Sequence, residues 1–311
     1  MSAAVWPDLP YPAWHDTAAT LQLWTQIVGK VRLALTPWVN HSWQVPFYVT
    51  ARGLGTSPIP IGSEILEIEF DFIGHRLAVR TSRGENRNFP LEPQTVADFY
   101  RRVIALLNEI GVAVAINEIP SEVPNPIRFS QDRSHAAYDA AAAHRFWRAL
   151  VQADRVFKLF RSGFLGKASP VHFFWGSFDL ALTRFSGRKA PRHPGGVPGL
   201  PDDVAREAYS HEVSSAGFWP GNDAFPQAAF YSYAYPEPAG FRSRPVPLGA
   251  AFDATLDEFI LPYEAVRTAA EPDALLLDFL ATTYAAAADA GHWDRATLEC
   301  AMGVPARVRS I

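Results

Sequence analysis

Cysteine is almost missing from this chain. Cys300 is the single copy, so no disulfide can close within it. Long apolar runs are missing too: nothing approaches the roughly 20 residues of a membrane-spanning helix, and the opening Met1-Ser-Ala-Ala-Val-Trp-Pro has neither the basic nor the apolar region of an export signal. We therefore expect a cytoplasmic protein without membrane attachment. Charge of one sign is also lacking. The 28 basic side chains meet 32 acidic ones for a net charge of -4, with no single-sign block, which removes the electrostatic footprint of nucleic-acid binding. No glycine-rich dinucleotide fingerprint follows a strand, no Gly-x-Ser-x-Gly elbow occurs, and no helical His pair or Cys pair has metal-ligand spacing. The sequence thus names no cofactor, no metal and no oligomeric state.

What is abundant is aromatic: 9 Trp, 10 Tyr and 21 Phe in 311 residues, with 26 Pro. Such rings dominate core energetics and can equally wall a ligand cavity.

Along the chain, Asp16 and Thr17 offer an N-cap for a helix whose apolar face is Leu21, Trp24, Val28, Val31 and Leu35, ended by Pro37. Val45 to Arg52 alternates as a strand. Leu66, Ile68, Phe70 and Phe72 alternate with Glu67, Glu69 and Asp71, so one face of that strand is dry and the other wet. Gly74-His75 suits a two-residue turn. Arg83-Gly84-Glu85-Asn86 makes a second turn and completes an antiparallel meander. Glu92-Pro93 opens a helix with Val96, Phe99, Val103, Leu106 and Ile110 at helical spacing, and a short strand is expected over Val112 to Ile116. A proline-rich polar connection follows. A second helix (Ala140 to Arg161), further strand segments and a helix after Glu271-Pro272 repeat the order helix, meander, helix.

The expected fold class is therefore α+β, with two approximately repeated halves and about four main helices covering the sheet. The boundaries fall at 1–120 for the first half, 121–139 for the connection and 140–311 for the second. Most of the second half's extra length lies between Ser186 and Gly221, and loops elaborated on a rigid frame are common sites of function.

Several strings carry a resemblance: Leu23-Trp-Thr-Gln-Ile-Val-Gly-Lys30, His172-Phe-Phe-Trp-Gly-Ser-Phe-Asp-Leu180 and Tyr209-Ser-His-Glu-Val-Ser-Ser-Ala-Gly-Phe-Trp-Pro-Gly221. Over nearly its whole length the chain resembles a family of uncharacterised bacterial proteins of about 300 residues, a domain of unknown function. The resemblance implies a bacterial source and one module, and it implies no activity.

Chemistry must then be read from the residues. In an unbroken strand from Val171 to Phe185, Trp175, Ser177 and Asp179 share one face while His172 and Arg184 share the other, unless Gly176 hosts a bulge. Arg184 to Gly196 reads as a glycine- and proline-rich loop carrying Arg184, Arg188 and His193, either a solvated basic loop or forks for an anionic group. His211, beside Glu212, is the best candidate proton acceptor or ligand, and is equally readable as a buried histidine bonded to a carbonyl. Tyr231, Tyr233 and Tyr235 share one face, either as a stacking wall or as a surface covered by Pro236 to Pro247. The expected site takes His211, Asp179 and Glu212 as catalytic groups. Its ligand-binding set is His172, Trp175, Ser177, Arg184, Arg188, His193, Trp219 and Tyr231, around a small anionic or aromatic molecule. A non-catalytic interaction module is the alternative.

Overall fold

The computed structural model describes residues 5–197 and 199–309. The first half opens on α1 (His15–Leu35), passes through β1 (Tyr48–Val49), β2 (Gly53–Gly55), β3 (Ile59–Ile61), β4 (Glu64–Asp71), β5 (Arg76–Thr81) and β6 (Asn86–Pro90), and closes on α2 (Val96–Glu109). The second half runs α3 (Ala140–Ser162), β7 (His172–Phe174), β8 (Asp179–Lys189), α4 (Asp202–Ala208), β9 (His211–Trp219), β10 (Ala229–Tyr235), β11 (Ala251–Asp253), β12 (Glu258–Pro262), α5 (Tyr263–Thr268), α6 (Pro272–Ala290) and α7 (Arg295–Leu298). Each half forms a six-stranded antiparallel sheet. The first has the order β1-β2-β4-β5-β6 with β3 also on β4, and the second has the order β11-β12-β10-β9-β8-β7. The fold is α+β.

The two sheets meet edge to edge. Phe47 and Phe173 exchange both backbone hydrogen bonds, at 2.8 and 2.7 Å, and one apolar cluster continues through both halves from Trp6 to Trp293. The expected alternation of β4 holds: Leu66, Ile68 and Phe70 are fully buried. In the second half, Leu180, Leu182, Phe218 and Phe230 face α3, α5 and α6, with Phe157 of α3 packed against Phe230 at 6.2 Å.

The largest departure from expectation lies at Val171 to Phe185. This segment is a hairpin: β7 pairs with β8 as His172↔Ala181, Phe173↔Leu180 and Phe174↔Asp179. Trp175 leaves the strand because its indole N–H donates to the Val45 carbonyl at 3.0 Å, and its ring lies where a Cβ on Gly29 would be. Phe178 takes the left-handed region (φ 61°) to complete the turn. Folding back reverses the parity, so His172 and Asp179 lie on the same face of adjacent strands.

Other boundaries move for local reasons. Asp71 and Arg76 pair directly, so the loop holds four residues rather than two. Asp71 is fully buried, accepts from Ile73 N and Gly74 N, and pairs with Arg52 and Arg76. Helix α2 starts three residues after Pro93, where Thr95 caps it by accepting from Asp98 N at 3.0 Å. Val112 to Ile116 pairs with no strand among the described residues; Val112 is buried by packing instead. The basic stretch after Arg184 is strand as far as Lys189, which pairs with His211 after an irregularity in register. Asp202 to Ala208, unforeseen, is helical.

Candidate functional site

The face of the second sheet turned away from the helices is polar. Pairing aligns Thr183, Ser215 and Tyr233 in one row, and Ala181, Gly217, Tyr231 and Ile260 in the next. Alternation puts Asp179, Trp219 and Glu258 on this same face. Tyr231 reaches back over Gly217 to donate its phenol to Asp179, and Ser177 donates to the other carboxylate oxygen. Gly217 is required there, since a Cβ would overlap the Tyr231 ring. The Tyr231 and Tyr233 rings lie parallel at 6.1 Å, and the Tyr233 phenol exchanges a 2.9 Å hydrogen bond with that of Tyr209.

The roof over this face comes from the connecting segment. Gln26 clamps Ser121 through both its amide atoms, at 2.8 and 2.7 Å, while Gln22 holds the Gly176 carbonyl at 2.8 Å and Lys30 donates to the Ile119 carbonyl. Residues 22, 26 and 30 form one stripe of α1, so a single helix pins both the roof and the hairpin turn. Glu122, in the left-handed region (φ 57°), projects its carboxyl over Gly176, where no side chain would fit. The result is a half-buried cluster of Glu122, Glu258, Tyr231 and Tyr233 beneath the roof.

Its electrostatics are one-sided. Asp179, Glu122 and Glu258 interact, and among the described residues none of them pairs with Lys, Arg or His. Burial raises Glu122 to about 7, helped by Asp179, and raises Glu258 to about 8, helped by Asp179, Asp253 and Asp257. Burial likewise raises Asp179, against the pull of the Ser177 and Tyr231 hydrogen bonds. Tyr231 and Tyr233 are pushed well up by burial, then by Asp179 and Tyr209 respectively, so both stay protonated donors. No group of three or more His, Cys, Asp or Glu side chains among the described residues is arranged to hold a metal ion.

The structure brings Asp179, Ser177 and Tyr231 into direct contact, and sets Trp219, stacked on Phe225 at 5.6 Å, on their face. His193 stacks on Tyr209 at 4.7 Å and so borders the far end of the tyrosine row. His172 shares the face but is fully buried against Phe174; burial, with Arg32 adding, lowers it to about 3, which keeps it neutral. Trp175 serves the hairpin turn. Arg184 points to the opposite face, caged by Phe160, Phe164 and Tyr284. Arg188 and Glu212 pair at 2.6 Å, and Arg188 continues to the carbonyls of Gly291 and His292, tying β8 to the end of α6. His211 lies at the other end of β9 from Trp219, bonded to Ser210 and 6.0 Å from the His41 ring. His211, Asp179 and Arg184 therefore do not converge on one cavity.

Glu122, Glu258, Tyr209 and Tyr233 were absent from the expected set. Glu258 had a usable signal, since it alternates with Ile260 on one strand face. Glu122 had none, because its place depends on Gln26 and Gly176, far from it in sequence. The covering of the tyrosine face also differs from expectation. Tyr209 and His193 meet it, and Tyr235 donates to the Pro191 carbonyl, whereas Phe241 in the Pro236 to Pro247 segment packs on Phe252 and Phe259 of the opposite face.

No helix is long and apolar enough to cross a membrane among the described residues. No curated protein and no solved structure matches the chain. A family model covers residues 6–300, and the chain accordingly belongs to the family of unknown function DUF5996.

Proposed function

We propose that the cluster between the second sheet and the 119–125 roof binds a small organic cation in the cytoplasm. One observation supports this reading: three neighbouring carboxyl groups have no cationic partner among the described residues and face a wall of tyrosines. A bound ammonium would supply the missing charge and lie against the ring faces, a contact worth about 1–2 kcal/mol where water is excluded. The anionic ligand expected from Arg184 and Arg188 loses its support, since both guanidinium groups are engaged elsewhere. Glu122 titrates near neutrality beside a network of phenols, so the site also offers proton transfer to a bound ligand, the general acid–base arm of the proposal. A duplicated helix, meander, helix unit whose second copy grew the site fits the same picture.

Calorimetric titration at pH 8 with choline and benzylammonium, beside benzyl alcohol as a neutral control, tests it. Cation binding that falls at least about tenfold in Asp179→Asn supports the reading. Cation binding untouched by Asp179→Asn refutes it, and so does an absence of cation binding. A specific observation favours a partner surface as the second reading: Leu33 in the last turn of α1 and Trp38 and Val39 just beyond the helix are all exposed. Concentration-dependent sedimentation of the chain, abolished in Trp38→Ser, would support that reading instead.

A further inference from the structure

A second cluster lies at the other end of the same sheet. The chain has four lysines, Lys30, Lys158, Lys167 and Lys189, and Lys167 alone has an imidazole as its partner. Its Nζ lies 2.5 Å from Nε2 of His41. The other ring nitrogen of His41, Nδ1, is 2.9 Å from the Ala208 carbonyl. A carbonyl only accepts, so Nδ1 carries the proton and Nε2 presents a lone pair to the lysine. The backbone is shaped around this pair: His41 and Ser42 both take left-handed dihedrals (φ 60° and 58°), which cost free energy in non-glycine residues. Glu207 holds the turn by accepting the His41 N–H through both oxygens, at 2.9 and 2.7 Å. The Lys167 ammonium lies 4.7 Å from the Phe185 ring centre and 5.5 Å from that of Trp43. Lys167 itself is exposed, whereas His41 is buried. The amine is therefore reachable from solvent while its proton acceptor is fixed behind it.

We propose that Lys167 captures small carbonyl compounds, aldehydes or ketones, as an iminium held against Phe185 and Trp43, with His41 as the proton relay. The Lys167 ammonium passes a proton to His41 Nε2, and the freed amine adds to the carbonyl carbon. The C–O π pair moves to oxygen, which takes the proton that the new C–N bond makes acidic. His41 returns its proton to that hydroxyl, water leaves, and the nitrogen lone pair closes the C=N bond. The sum is one ammonium plus one carbonyl giving one iminium plus one water, with no oxidant or reductant. The product remains a cation over the same two rings, so the aromatic contacts of the ammonium carry over to it. Burial lowers the Lys167 ammonium against the pull of Glu207. Burial also lowers His41, with Lys167 and His211 adding to it, so the relay starts neutral.

The other lysines serve as internal controls. Lys158 pairs with Asp154 at 2.7 Å and Lys189 stands exposed near the end of β8, while Lys30 is buried beneath the roof. The test treats the folded full chain with limiting propanal and cyanoborohydride at neutral pH, and maps alkylation of each lysine over time by mass spectrometry. Trapping at Lys167 is expected about tenfold faster than at Lys158 and Lys189, because His41 takes up the proton that the amine must lose. In His41→Gln it should fall to their level with an unchanged circular-dichroism spectrum. Trapping at Lys167 no faster than at Lys158 and Lys189 in the native chain overturns the proposal, and this comparison decides the matter even where His41→Gln fails to fold.

Discussion

Replacing Glu258 by Gln should stabilise the protein at alkaline pH and leave it nearly unchanged in mild acid. In the folded chain this carboxyl is raised from 4.5 to about 8, first by burial and then by Asp179. Below the unfolded value the group is protonated in both states and imposes no penalty. Between the two values the unfolded chain releases the proton and the folded chain keeps it, so stability falls as pH rises. Above the folded value both states are ionised and the whole penalty is present. At about 1.4 kcal/mol per unit, the shift corresponds to about 5 kcal/mol. The side chain keeps some accessible surface, and water there reduces the effect to about 2–3 kcal/mol. Glutamine has the size of the protonated acid and cannot ionise. Urea melts of both proteins at pH 5 and pH 9 should therefore diverge, with the variant ahead by about 2–3 kcal/mol at the higher pH. An equal gap at both pH values would refute the placement of Glu258 in an uncompensated acidic cluster.

Substitutions at three further positions probe other parts of the fold. Arg184→Met should stay within about 1 kcal/mol of the parent, because an apolar chain can fill the Phe160, Phe164 and Tyr284 cage without burying a charge. Arg184→Ala should lose about 2–4 kcal/mol to the cavity it leaves. Equal losses in thermal melts would show that the charge itself is needed. Gly217→Ala should cost about 1–3 kcal/mol by overpacking against Tyr231 and should weaken any ligand binding by pulling the phenol off Asp179; unchanged binding and stability would contradict that contact. Asp71→Asn should cost about 2–3 kcal/mol near neutrality. Burial alone would raise this carboxyl, but the Gly74 N–H and the Arg52 fork outweigh it and hold it low. Its contribution is thus present above the ordinary Asp range and lost in acid, so chemical melts should show the two proteins converging as the pH falls below that range.

Helices α1, α2, α3 and α6 were legible because each repeats apolar residues at helical spacing over several turns, and β4 because its alternation is strict. The Val171 to Phe185 hairpin was illegible as a hairpin. An aromatic-rich run satisfies the pattern of one long strand, and the reason it folds back, Trp175 seated on Gly29 and Val45, lies about 130–150 positions away. That single turn moved His172 onto the face of Asp179. For the candidate site, Asp179, Trp219 and Tyr231 followed from strand parity once the register was known, whereas Ser177 lies in the hairpin turn and reaches Asp179 from there. Glu122 did not, because a left-handed residue in a proline-rich segment carries no periodic signal.

By itself the sequence determined the class of the protein: an aromatic core, two helix-flanked meanders, no disulfide within the chain, and a chemically varied stretch in the second half. These follow from composition and short-range periodicity, which act along the chain. The tertiary structure alone decided which charges meet. It separated Arg184 and His211 from Asp179, paired Arg188 with Glu212, gathered three carboxyls under a roof pinned by Gln26 and Lys30, and set His41 against Lys167. The energy of a charge depends on its distance from other charges and on its depth from water, and neither quantity exists until the chain has folded.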